Sequence, residues 1–195
     1  MAQANSGEFR SPDCTLAFSD GLFELKSVDG KKFTYGATLI FPNKDKAFFM
    51  PIIKKVILQK WGDRGMTMFE KGMIKNPLLD GDGPSAYNKT SGERYNGFDE
   101  TKFFIRANAQ EDAKPHVYWR SKHVQAEKED IYSGCEGFAI LNAYTWENQS
   151  GGNGVSFGIR AFQKLRDGDS LGGRAPFNPD RWIVDLEPEE NDVLS

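Results

Sequence analysis

The 195-residue chain has only two cysteines and two histidines: Cys14, Cys135, His116 and His123. Their spacing matches no zinc-ligand pattern and sets up no Cys–His or Ser–His–Asp pairing. A metal site, a cofactor and an enzymatic role are therefore not expected. The two thiols read as reduced cysteines of a cytoplasmic protein. Long apolar runs are missing too. Nothing approaches the ~20 residues of a membrane span, and the opening MAQANSGEFRSPD lacks the apolar stretch of a secretory signal. The glycines at 151–154 have no following Lys-Ser/Thr, so phosphate-loop chemistry is not indicated. Asp80 and Asp82, in LLDGDG, lack the rest of a calcium loop and read as a turn. The acids sit in turns and in the tail rather than in a cluster, which argues against a metal-dependent nuclease. There is no internal repeat.

Charge is present but segregated. The net charge is −3, yet residues 185–195 hold five acids (Asp185, Glu187, Glu189, Glu190, Asp192) and no base. Without those five acids the body stands at about +2. A mildly basic body with an acidic tail is compatible with a polyanionic partner.

Alternation of apolar and polar residues predicts strands. Thr15–Val28 reads as a strand bent at Asp20-Gly21, followed by a turn at Asp29-Gly30. Lys32–Phe41 returns as a second strand, with Phe33, Tyr35, Ala37, Leu39 and Phe41 on one face, and Pro42 ends it. A helix follows, opening with Pro51 in its first turn and closing at Gly62 and Gly65, with Ala47, Met50, Ile53, Ile57 and Trp61 recurring near helical spacing. Residues 63–100 read as a long irregular excursion. Thr101–Gln110 is the next strand, Lys114–Arg120 a short partner, and Gly134–Glu147 a long strand joined by a flexible hairpin loop to the last. That last stretch, Gly154–Arg174, puts Val155, Phe157 and Ile159 on one face and Arg160, Phe162, Lys164 and Arg166 on the other. Three cations and a ring in one row suit a surface that grips phosphates and stacks on bases.

This order suits a mostly β architecture: a five-stranded barrel of the oligonucleotide/oligosaccharide-binding (OB) type with one helix after the second strand. The expected division is a flexible arm at 1–13, the barrel domain at 14–184 and an acidic tail at 185–195. SGCEGFAILNAY (133–144), followed by GVSFGIRAFQKLRDGDSLGGR (154–174), resembles the C-terminal signature of a family of bacteriophage single-stranded DNA-binding proteins. KFTYGATLIFPNKD (32–45) and NPLLDGD (76–82) resemble further blocks of that family in the same order, so the resemblance runs from about Thr15 to Arg174. Phe162 in place of a β-branched residue, and Asp169-Ser170 in place of Glu-Pro, are mild departures. The resemblance implies an OB fold, sequence-independent single-strand binding and a role in phage replication, recombination or repair in the host cytoplasm. It also implies an acidic tail that recruits replication or recombination proteins and competes with DNA for the groove. Duplex binding by the tail-deleted protein and a homo-oligomer are compatible with it.

The candidate phosphate contacts are Lys32, Lys102, Arg106, Arg160, Lys164 and Arg166. The candidate stackers are Phe104, Tyr118, Tyr144, Trp146 and Phe162. Trp61 and Trp119 read as core. Val193 and Leu194, with the five tail acids, are the candidate partner-docking residues. Blander readings stand beside these. A basic face and an acidic tail can serve solubility alone, Phe138 and Ile140 would pull Tyr144 toward the core, and an OB barrel can hold protein partners instead of DNA.

Overall fold

Residues 3–27, 30, 32–149 and 152–172 are described by a computed structural model. The chain order is β1 (Asn5–Arg10), β2 (Cys14–Ala17), β3 (Lys26–Ser27), β4 (Phe33–Pro42), α1 (Lys46–Glu70), β5 (Ile74–Lys75), β6 (Leu79–Asp80), β7 (Lys102–Gln110), β8 (His116–Tyr118), β9 (Glu136–Glu147) and β10 (Asn153–Arg166). Five of these strands close a barrel. β2 pairs with β4, β4 with β7, β7 with β10 in parallel, β10 with β9, and β9 with β2. This is the expected OB-type barrel, with the helix between its second and third strands.

Strict alternation builds β9. Ala139, Leu141, Ala143 and Thr145 are buried, while Phe138, Ile140, Asn142, Tyr144 and Trp146 lie half-exposed on the outer face. The other side of the wall supplies the bulk: Phe41, Phe103, Phe157 and Phe162 are all essentially inaccessible. Phe49 of α1 seats itself among them, 5.0 Å from the Phe41 ring, 5.8 Å from Phe103 and 5.6 Å from Phe157. Together with Ile53, Val56 and Ile57 it forms the buried stripe by which the helix packs on the barrel.

Several expectations are corrected. The residues taken for a flexible arm include β1, which pairs antiparallel with β9, and Phe9 reaches the rings of Phe48, Phe49 and Phe157. The helix starts at Lys46, five residues before Pro51, and Ala47 is exposed while Phe49 takes the buried place. Pro51 and Ala47, one turn before it, are both exposed, so water is at hand for the carbonyl that a proline cannot pair. Gly62 does not end the helix. It kinks it at φ 60°, ψ −154°, and the helix resumes to Glu70. The irregular stretch therefore begins only after residue 70, and it is ordered. Tyr87 and Arg94 face each other in a small hairpin, Asn88 and Glu93 are joined by a 2.8 Å backbone bond, and the Tyr95 amide donates to the Ala86 carbonyl at 2.9 Å. From this segment Ala86 and Phe98 pack on Ala17, Ile40 and Phe104 to make a second apolar cluster on the outside of β4 and β7.

The last strand departs from simple alternation. Ile159 faces Leu141, but Ala161 faces Ile140, so Arg160 is an extra residue in the ladder. Before it Val155, Phe157 and Ile159 point inward; after it Phe162 and Lys164 do. The expected outer row of Arg160, Phe162, Lys164 and Arg166 is thus split. The signature turn beyond β10 is tied down by Tyr132, whose hydroxyl donates to the Gly168 carbonyl at 2.8 Å, and by Leu171, whose amide donates to Ser133 at 2.9 Å. Asp29, residues 150–151, Arg174 and the whole 185–195 tail, with Asp185, Glu187, Glu189, Glu190, Asp192, Val193 and Leu194, lie outside the described residues.

Phe49→Ala removes the ring on which five other phenylalanines converge. It should cost about 3–5 kcal/mol of unfolding free energy in a denaturant titration. A loss below ~1 kcal/mol would show that the helix is not a structural part of the barrel core.

Candidate nucleic-acid interface

The outer row of β10 is small: Gly154, Ser156 and Gly158. Opposite them on β9 stand Trp146, Tyr144 and Asn142. Long side chains facing small ones across a ladder lie down over them. A Cβ added at Gly154 would come within 2.4 Å of the Trp146 ring, and one at Gly158 within 2.4 Å of Asn142 Oδ1. Tyr144 is hydrogen-bonded to Ser156, and partial burial pushes its phenol pKa up. The result is a flat floor of indole, phenol and amide faces.

That floor is braced from behind. Glu147, next to Trp146, accepts a 3.0 Å hydrogen bond from Trp61 Nε1 and sits 3.0 Å from the Lys60 ammonium. These partners hold its carboxyl below the usual carboxylate range, the Trp61 bond contributing most. The kinked part of α1 thereby fixes the end of β9. Lys75 adds a cation 5.7 Å from the Trp146 ring.

Above the floor is an open groove of about 810 Å³. Lys32 and Thr34 line one side with the end of β7 from Asn108 to Gln110, and Asn5 and Glu8 of β1 line the other. Arg160, which the bulge turns outward, lies 3.9 Å from Glu8, with both side chains more than half exposed. A second depression, about 300 Å³, shares Thr34 and Asn108 with the groove and adds Phe18, Lys26, Gly36 and Arg106. A third, about 410 Å³, shares Arg106 with the second and adds Tyr87, Lys89 and Tyr95. The three form one track over the outer face.

Of the residues singled out from sequence, Lys32, Tyr144, Trp146 and Arg160 meet in the groove, and Arg106 lies on the track beyond it. The others are elsewhere. Phe104 is buried under Phe98, 4.9 Å away, because the 84–98 segment covers that part of the face. Phe162 is inside the barrel. Lys164 is buried, 2.8 Å from Asp167, donating to the Asp130 carbonyl at 2.9 Å and lying 3.8 Å over the Trp119 ring. Arg166 is paired with Glu136 and lies 3.7 Å from Asp13. Lys102 is held by Asp99 at 2.9 Å. Tyr118, on β8, stacks on His116 beside the far half of β10. Sequence reasoning missed Asn108, Asn142, Phe18, Tyr87 and Tyr95. The Gly–Ser–Gly alternation opposite Trp146 and Tyr144 was the available signal for the floor. Among the described residues there is no cluster of potential metal ligands, and no helix is long and apolar enough to cross a membrane.

Residues 13–192 match the family described as the single-stranded DNA-binding protein of Enterobacter phage Enc34. The chain belongs to that family. It is a non-enzymatic family of phage proteins that bind single-stranded DNA. A protein named p50 from Acyrthosiphon pisum secondary endosymbiont phage 1 is 30% identical over 189 residues, spanning 92% of this chain and 95% of that one. Among solved structures, the single-stranded DNA-binding protein of bacteriophage Enc34 in complex with single-stranded DNA superposes with a TM-score of 0.61 at 18% identity, over 86% of this chain and 90% of that one. The bacteriophage T7 protein gp2.5, a single-stranded DNA-binding protein, gives 0.50 at 16% identity over the full length of both. At these identities the two structures establish the shared fold.

Gly154→Ala should lift the indole off its bed without unfolding the barrel, since only the ring must move. Near-ultraviolet circular dichroism should change in the tryptophan region, and oligo-dT affinity should fall about 5-fold or more, a fraction of the ~1–3 kcal/mol that a stack contributes. Unchanged spectrum and affinity would mean that Trp146 does not rest on Gly154.

Proposed function

We propose that single-stranded DNA lies in the groove between Lys32, the end of β7 and the β9–β10 floor, and is held without regard to base sequence. The observation that carries this is the aromatic floor: Trp146 and Tyr144 laid over Gly154 and Ser156, between Lys32 and Arg160. Every base has a stacking face, so a flat indole and phenol accept any sequence, each stack contributing ~1–3 kcal/mol. Lys32 and Arg160 serve as phosphate contacts, Arg160 exchanging its exposed partner Glu8 for a phosphate at little cost. Asn108 and Asn142 offer amides that donate or accept and so discriminate little among bases. Arg106 takes the backbone as the strand leaves the groove.

The chain then acts by coating single strands exposed during phage replication, recombination or repair in the infected cell. The acidic tail, with five carboxylates and the apolar pair Val193-Leu194, has the charge to compete with phosphate for Lys32 and Arg160 and the composition of a docking peptide for partner enzymes. With the tail removed, duplex DNA is also admitted to the basic track.

Two measurements test this. Trp146→Ala should weaken oligo-dT binding by about 5- to 150-fold, and Arg160→Ala should lower the slope of log K against log salt by about 0.7. If both variants bind like the wild type, the strand lies elsewhere. Deleting residues 185–195 should strengthen binding, most at ~50 mM salt, where charges are least screened. Equal affinity of the two forms at that salt would remove the tail from the mechanism.

A further inference from the structure

We propose that the 84–95 hairpin, with Phe18 and Arg106, is a second base-stacking subsite that takes the next nucleotides of the strand after it leaves the barrel groove. The proposal rests on single-strand binding in the groove and extends the site along the molecule.

Phe18 is the first observation. It is a non-glycine residue in the left-handed region, φ 54° and ψ 48°, at the break between β2 and the following short 3-10 turn. A bulky residue is held there only when its surroundings over-determine it, and such strain concentrates at functional positions. The residue is nevertheless 49% exposed, with the Phe98 ring 6.4 Å away on its inner side. It stands edge-on to Tyr95, 5.0 Å between centroids, and Tyr87 beyond is also exposed. An edge-on neighbour leaves one face of a ring open, which is the geometry a base can stack on.

Charge and continuity are the second. The residues lining the third depression include Lys89 and Arg106 and no carboxylate. Arg106 donates through Nη2 to the Ser85 carbonyl at 3.1 Å, which anchors one edge of its guanidinium and leaves further donors of the fork for a phosphate. Arg106 lines both the second and the third depression, and Asn108 both the first and the second. Those two residues are two apart on β7, about 7 Å, close to the advance of one extended nucleotide. Rigidity is the third observation. Phe98 and Ala86 pin the hairpin to Ile40 and Phe104, and its backbone bonds close it, so the subsite is preformed. Burial of Phe104 has the same origin: the segment that covers the barrel face replaces it with a face of its own.

The test uses the full chain and oligo-dT of about 4 to 16 nucleotides, the span of OB site sizes. The Phe18→Gly, Tyr87→Ala double variant removes both rings, glycine keeping the left-handed backbone without strain. It should bind long oligonucleotides about 10-fold or more weakly while matching the wild type on the shortest one that the groove alone holds. Lys89→Ala should lower the salt slope by about 0.7 on long oligonucleotides only. Photo-crosslinking of an iododeoxyuridine oligonucleotide to the wild type should mark the 84–95 peptide. Equal affinity of the double variant and the wild type at every length, a loss of the same size at every length, or an absence of 84–95 adducts would overturn the subsite. Failure of the wild type to bind at any length, or indifference to Trp146→Ala, would instead overturn the groove itself.

Discussion

An extra residue midway along the last strand sets the geometry on which the rest depends. β10 must pair along its length with β9 while meeting β7, β8 and β5 in parallel on its other edge. A strand that serves so many partners has to bend, and a bulge bends it at the cost of one unpaired residue. Midway along the strand that residue is Arg160; a second irregularity follows near its end, between Lys164 and Arg166. The inward set changes from odd to even positions across Arg160, so Phe157 and Phe162, five apart, both enter the same core. The change also sends Lys164 inward. Its ammonium is lodged against Trp119 and Tyr132 with Asp167 as counter-charge, and burial pushes the Tyr132 hydroxyl up to about 12. A lysine alone in that place would be costly; ringed by two aromatics, a carboxylate and a carbonyl, it joins the end of the barrel to the signature turn.

The outer face is divided as a consequence of what packs on it. Over the part of β4 and β7 that carries Ile40 and Phe104, the chain between the helix and β7 folds back and makes a second, minor core. The part that carries Asn108 and Gly158 instead lines the open groove, and the surface there is amide, glycine and aromatic. β1 fills the edge of β9 that β2 leaves unpaired, so the sheet offers no long open edge there. The exposed floor is therefore a bounded site rather than a leftover of barrel closure.

The architecture was legible because it rests on local signals: alternation in Gly134–Glu147, Pro42 after the second strand, and glycine-rich turns between strands. The family followed from a long stretch of side chains around Gly154–Arg174 rather than from any period. Half of the site was legible for the same reason, since Tyr144 and Trp146 alternate with the Ala-rich inner row. What was not legible is non-local. Nothing near Phe104 announces that Phe98 will cover it. Nothing near Phe162 announces the bulge, although an aromatic ring amid cations was a hint that the face had changed. The N-terminal residues look like an arm because their one aromatic side chain, Phe9, carries meaning only once Phe49 and Phe157 are in place. The kink at Gly62 likewise reads as an end, because the sequence does not show that Met66 and Phe69 will find the core beyond it.

The distribution of ion pairs bears on which force would dominate at the proposed interface. Many of the cations that make the body basic are engaged with carboxylates: Arg160 with Glu8, Lys102 with Asp99, Arg166 with Glu136 and Asp13, Lys164 with Asp167, Lys46 with Asp80. Apart from Lys164, which is buried, these pairs are exposed and hold each other by about 0–1 kcal/mol, so a phosphate can replace the carboxylate, but the net gain from each exchange is correspondingly small. A stack on a preformed aromatic bed contributes ~1–3 kcal/mol and displaces no counter-charge. In the proposed groove, affinity would be carried mainly by rings, with the cations setting register and rate of encounter. A binder built this way has a reason to keep its rings in place: Trp146 by Gly154 and the Glu147 brace, Phe18 by its contacts with Tyr95 and Phe98. It has no need of a strongly basic surface, and its charge balance, a mildly basic body with acids gathered in the tail, is what that division of labour permits.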